Sequence, residues 1–176
     1  MQSTARLASV EEAEAKMDAR AGKYLVFQLG KEEYGIQVLK VREIMGIQDI
    51  TAVPQTPAYL KGVINLRGKV IPVVDLRLKF NLEEIPYTGR TCIIVIQVRS
   101  HSGPLMIGIV VDGVTDVLNL ASADIEDTPD FGRTANTPYL LGLAKIKGAV
   151  KILLDIDQVL GGSDVRGLET AMGSFK

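Results

Sequence analysis

An internal repeat is the feature that most restricts the fold. Tyr24-Leu25-Val26-Phe27-Gln28-Leu29 aligns with Ile93-Ile94-Val95-Ile96-Gln97-Val98. Gly35, Ile36, Val38, Val41, Glu43 and Ile44 align with Gly108, Ile109, Val111, Val114, Asp116 and Val117. Gly62, Gly68, Val70 and Asp75-Leu76 align with Gly142, Gly148, Val150 and Asp155-Ile156. The order is the same in both copies, and the spacing between mates widens steadily along the chain. Loop insertions in the second copy would produce that drift, one within 99–104 and another within 121–138.

Each copy reads as β. Short runs of Val, Ile, Leu, Tyr and Phe alternate with Gly, Pro and Asp. Strands are expected at 23–29, 34–38, 63–66, 70–74, 90–98, 105–111, 114–118, 141–146 and 150–154. The stretch 39–44 fits strand or helix equally. Two short helical turns are expected at 75–80 and 155–160, each opened by an Asp whose carboxylate can take the orphan amides of a first turn. Five short strands with tight turns suit a small barrel, because closure removes exposed sheet edges. A copy of about 70 residues is near the lower limit for an independent core. Two barrels, one per copy, are therefore expected to share an apolar interface and form a single domain over residues 23–160. Residues 1–22 read as a polar tail and 161–176 as a Gly/Ser-rich one.

Composition excludes several classes of function. The 176 residues carry a net charge of −1, so no strong field draws the chain to nucleic acid or anionic lipid. Cys92 is the single cysteine, which rules out an intramolecular disulfide and a cysteine-based zinc site. No stretch is apolar for long enough to cross a bilayer as a helix, and no secretory leader is visible. A cytoplasmic location is the simplest expectation.

The residues that could do chemistry lack partners. His101 is the one histidine and lies in Arg99-Ser100-His101-Ser102-Gly103-Pro104, a composition suited to a hairpin tip. Cys92 opens an apolar strand without a visible activator. Asp124, Glu126, Asp127 and Asp130 fail the calcium-loop pattern, which needs Gly where Pro129 stands and Glu where Ala135 stands. Asp75 and Asp155 occupy matched repeat positions, which favours helix caps over catalytic carboxylates. There is no phosphate-binding glycine loop. Lys61, Arg67, Lys69, Arg77 and Lys79 form a modest basic cluster with no aromatic residues interleaved for base stacking. The expectation is a protein without catalysis, metal or cofactor, whose surface turns carry its function.

The sharpest of those turns is Asn65-Leu66-Arg67-Gly68-Lys69, whose mate is Lys145-Ile146-Lys147-Gly148-Ala149. The glycine recurs because the turn needs positive φ. Asn65 and Arg67 do not recur, so the fold does not demand them. The surrounding run, Gly62-Val63-Ile64-Asn65-Leu66-Arg67-Gly68-Lys69-Val70-Ile71-Pro72-Val73-Val74-Asp75-Leu76-Arg77, resembles the signature of CheW-like domains. So do Leu39-Lys40-Val41-Arg42-Glu43-Ile44 and Gly108-Ile109-Val110-Val111-Asp112-Gly113-Val114.

The resemblance covers about residues 23–160. It implies an all-β fold of two intertwined, five-stranded SH3-like barrels around a shared core, with short helices. It also implies an adaptor that binds the regulatory domain of the histidine kinase CheA, itself CheW-like, and the cytoplasmic tip of methyl-accepting chemoreceptors. Carried over by motif, Val41, Glu43, Asn65 and Arg67 are expected to face partners; a receptor helix pair also needs an apolar groove, whose wall at the seam between the barrels is expected to come from Val38, Val41 and Ile44. Gly62, Gly68 and Gly108 are expected to serve the fold. Neither nucleic acid nor direct membrane insertion is expected. The alternatives are a CheW-like adaptor in a kinase system outside chemotaxis, or a small barrel that binds nucleic acid or a ligand.

Overall fold

The computed structural model describes residues 19–100, 103–128 and 139–160. His101, residues 1–18 of the N-terminal stretch, and residues 161–176 lie outside the described residues. Eleven strands run in chain order: β1 (Gly22–Leu29), β2 (Glu32–Gln37), β3 (Val41–Gly46), β4 (Leu60–Leu66), β5 (Lys69–Asp75), β6 (Cys92–Ser100), β7 (Gly103–Val111), β8 (Gly113–Leu120), β9 (Ile125–Glu126), β10 (Leu140–Ile146) and β11 (Ala149–Leu154). The helical turns are α1 (Leu76–Lys79) and α2 (Ile156–Val159), and a 3-10 turn at Val38–Lys40 joins β2 to β3. The ambiguous stretch thus resolves into a tight turn followed by a strand. Asp75 caps α1 as expected, accepting the Arg77 amide at 2.9 Å. Asp155 holds the same position before α2, but its side chain makes no capping bond.

The strands form two sheets, ordered β8-β1-β2-β11-β10-β9 and β3-β6-β7-β5-β4. Neither sheet is one copy of the repeat. The hairpin β1–β2 of the first copy lies among the late strands of the second. The hairpin β6–β7 of the second copy lies among the late strands of the first. The junctions match: β2 meets β11 in parallel, with Gly35 opposite Leu153, and β7 meets β5 in parallel, with Gly108 opposite Val73. The one-barrel-per-copy expectation is corrected accordingly: the barrels exchange their first hairpins. Each sheet has five long strands. The two-residue β9 adds a sixth to the first, and a single Thr51–Val63 bridge does the same job in the second.

The shared core explains why β1 and β6 are buried on both faces. Ile94, Ile96 and Val98 point into a core shared by both sheets, with Leu25, Phe27, Leu29, Ile36, Leu154 and Ile156. Ile93 and Val95 point the other way, into the interior of the second barrel with Ile64, Ile71 and Val73. Tyr24 does the same in the first barrel, against Leu120, Ile125, Ala144 and Leu153. A strand with no wet face reads as an unbroken apolar run rather than as alternation. Burial on both faces also ties the two barrels together through one continuous apolar cluster.

Two of the glycines expected to serve the fold sit where strands cross too closely for a side chain. A Cβ on Gly108 would lie 2.8 Å from Ile93 Cγ2, and one on Gly62, at φ +145°, would lie 2.0 Å from the Thr51 carbonyl oxygen. Neither distance is tolerable to a carbon atom in a close-packed interior.

A candidate partner-docking edge

β3 is an edge strand of the second sheet. Its own barrel curls until the β4–β5 tip reaches back to it. That tip is a two-residue turn with Leu66 opposite Lys69. Arg67 (φ +51°) and Gly68 (φ +86°) both occupy the left-handed region, as the tightest hairpin turns require. Gly68 adopts this freely, whereas Arg67 does so at a cost of roughly 1–2 kcal/mol. Two contacts hold it there. Asn65 Oδ1 accepts the Gly68 amide at 2.8 Å, and an Arg67 terminal nitrogen donates to Glu43 Oε1 on β3 at 2.7 Å.

The structure therefore brings Glu43, Asn65 and Arg67 into one group. Arg67 remains 75% exposed and Glu43 29%, so most of the guanidinium's donor edge still faces solvent. The mate turn keeps the strain, with Lys147 at φ +52° and Gly148 at φ +80°. It has Lys145 where Asn65 stands, and so no such side-chain brace.

The apolar candidates divide. Val38 and Val41 are half-buried and pack against the shared core. Ile44 is 46% exposed, and the most exposed large apolar residue at this edge is Leu39, at 86%. Leu39 was not among the sequence candidates. The 3-10 turn rotates the chain, so the residue after Val38 projects outward. Arg42 braces the turn, donating to the Leu39 carbonyl at 3.2 Å and to Gln97 Oε1 at 3.0 Å.

Three more cations of the basic cluster are drawn into the fold, whereas Lys69 is exposed beside the turn. Lys61 pairs with Glu84. Arg77 forms a two-pronged pair with Asp112, at 2.7 and 2.9 Å. Lys79 lies 4.7 Å above the Tyr59 ring. These residues do not make a stripe that could follow a phosphate backbone. Cys92 is half-buried, and burial pushes its thiol up, away from the reactive thiolate. Among the described residues no cluster of His, Cys, Asp and Glu could hold a metal ion. No helix among them is long and apolar enough to cross a membrane.

Residues 23–163 match the family model of the CheW-like domain. The chain belongs to the CheW-like family. The chemotaxis protein CheW of Klebsiella aerogenes is 43% identical over 142 residues, 81% of this chain and 83% of that protein. The CheW of Rhizobium meliloti is 36% identical over 146 residues, 82% of this chain and 92% of that protein. The crystal structure of the scaffolding protein TtCheW from Thermoanaerobacter tengcongensis superposes with a TM-score of 0.71 at 30% identity. That match covers 82% of this chain and 90% of TtCheW. The chain is thus a scaffold of the chemotaxis type, and its SH3-like barrel pair is the family's fold.

Proposed function

We propose that this chain is a non-catalytic coupling adaptor that holds the histidine kinase CheA under the control of chemoreceptors. It binds the kinase's CheW-like regulatory domain and the receptor's cytoplasmic tip through different faces, in the cytoplasm beside the membrane-embedded receptor array. The observation that carries this reading is the asymmetry between the two hairpin tips. Only the β4–β5 tip has Asn65 bracing the turn and an arginine shared between a strand-edge carboxylate and solvent. Exposed Leu39 and Ile44 stand on the neighbouring turn and strand. A receptor tip is a helical hairpin, and a helix face docks on apolar anchors with a few polar fixings. Arg67 can give a charge-assisted bond to a helix carboxylate or carbonyl. The edge strand β8 offers a separate apolar surface on the other barrel through Val117, the mate of Ile44, which is 54% exposed. A CheW-like partner domain can meet that surface in a similar geometry.

Calorimetric titration of the full chain against a CheA regulatory domain and, separately, a receptor tip fragment tests this reading. Saturable binding to both supports it. Absence of binding to either at high micromolar concentration overturns it.

A further inference from the structure

The two crossovers between the barrels each carry an ion pair, and the pairs have opposite polarity. Just beyond β1, the Gly30 amide donates to Asp112 Oδ2 at 2.7 Å. Asp112 is the crossover residue between β7 and β8, and its cation is Arg77 of α1, at 2.7 Å. At the equivalent place on β6, the Arg99 amide donates to Asp157 Oδ1 at 3.1 Å. Here the carboxylate sits on α2. The cation, Lys40, sits on the crossover between β2 and β3 and meets Asp157 Oδ2 at 2.6 Å. Asp157 occupies the helix position that Arg77 occupies in the first copy. The arrangement is kept while the charges are exchanged, with Lys40 one residue beyond Leu39, the mate of Asp112.

What persists is therefore the junction itself: a strand-end amide, a crossover and a helical turn tied through one carboxylate. Sequence alignment of the copies hides it, because the paired residues share no identity. Lys40 is the last residue of the 3-10 turn, and the next residue, Val41, opens β3. The Lys40 and Asp157 side chains are 28% and 25% exposed, so solvent and salt screen their attraction less than at an open surface. Asp157 also holds the end of β6, the strand on which β3 is laid.

We propose that Asp157 is a positioning residue for the docking edge. Through Lys40 and the Arg99 amide it sets where the 3-10 turn hands the chain to β3. It thereby sets where Leu39, Glu43 and Ile44 stand relative to the other barrel. The functional consequence rests on the docking reading of β3 above, whereas the geometric effect does not. The opposite crossover indicates what the junction requires: an anion to take the strand-end amide and a cation to neutralise it, in either order.

Amide hydrogen exchange on the full chain separates the two levels. Asp157→Ala is expected to speed exchange of the β3 amides about tenfold, as local opening rather than global unfolding, with β10 amides such as that of Ala144 unchanged. Asp157→Asn keeps an acceptor for the Arg99 amide and is expected to show a smaller change. Asp157→Arg is expected to loosen β3, and adding Lys40→Glu to restore its protection, copying the polarity of the other crossover. Unchanged β3 exchange in Asp157→Ala would overturn the proposal, as would a uniform rise across both sheets. Because this readout uses no partner, it stands apart from the titrations of the adaptor reading. Those titrations add one further condition: the loosened Asp157→Ala chain must bind at least one partner more weakly, and wild-type affinity for both would overturn the positioning role.

Discussion

Replacing Arg67 with Asn should separate stability from function at the β4–β5 tip. Arg67 sits at φ +51°, where an ordinary side chain costs roughly 1–2 kcal/mol and Asn is better tolerated. The substitution also deletes the 2.7 Å pair with Glu43. Arg67 is the exposed partner, and exposed pairs contribute only about 0.2–1 kcal/mol. The opposing effects leave the Asn variant within about 1 kcal/mol of wild type, on the stable side if anything. In a domain of this size 1 kcal/mol moves the melting temperature by about 2–4 °C. Thermal denaturation followed by circular dichroism reads the first half of the prediction. Titration against the kinase domain and the receptor tip reads the second, where at least one affinity should fall about tenfold or more with loss of a charge-assisted anchor. A variant that melts more than about 6 °C lower would refute the reasoning, because the Glu43 pair would then be a structural tie that outweighs the relief of strain.

Further outcomes follow from the same geometry. Gly62→Ala should cost about 3–4 kcal/mol, since it breaks the paired Thr51–Val63 backbone bonds of 2.9 and 2.8 Å at roughly 1 kcal/mol each and adds backbone strain. Gly68→Ala, at φ +86° with open space around it, should cost only about 1 kcal/mol, and urea unfolding midpoints would rank the two. A chain cut between Asn81 and Arg90 should stay associated through size-exclusion chromatography, because each barrel is built from both fragments; separation without denaturant would contradict the hairpin exchange. Lys151 beside Glu33, at 2.9 Å, holds the Glu33 carboxyl below its usual range. Its contribution should be present above the ordinary glutamate pKa and disappear as pH falls through the lowered one, so Lys151→Met should destabilise at neutral pH and converge with wild type in acid. Burial raises the Asp75 carboxyl, giving the opposite slope: stability is lost as pH rises from the ordinary aspartate pKa to the raised one, and Asp75→Asn should remove that slope from a pH series of melts.

The repeat made the all-β class, the shared core and the matched turns legible, because each rests on local composition or on two-residue periodicity. The exchange of hairpins was not visible in the residues themselves. Tyr24 and Ile93 fill barrel interiors and Leu25 and Ile94 fill the shared core, and that alternation is the same whether a hairpin pairs with its own copy or the other. Only the resemblance to intertwined family members pointed to it. The facing of Val38 and Leu39 is not legible, because the 3-10 turn breaks the period from which facing is read. The pairing of Glu43 with Arg67 and of Lys40 with Asp157 is a consequence of closure, over 24 and 117 residues of chain respectively, and nothing local announces it. Asn65 and Arg67 stand out by a different signal: their absence from the second copy.

Co-sedimentation measures directly whether one chain joins the two partners. A CheA fragment carrying the regulatory domain is mixed with lipid vesicles bearing a receptor cytoplasmic fragment, with and without this protein, and the kinase in the pellet is quantified. Kinase recovery is expected to rise several-fold with the wild-type chain and much less with Arg67→Asn. Kinase recovery that is the same with and without the chain, under conditions where the receptor vesicles sediment fully, would contradict the adaptor reading.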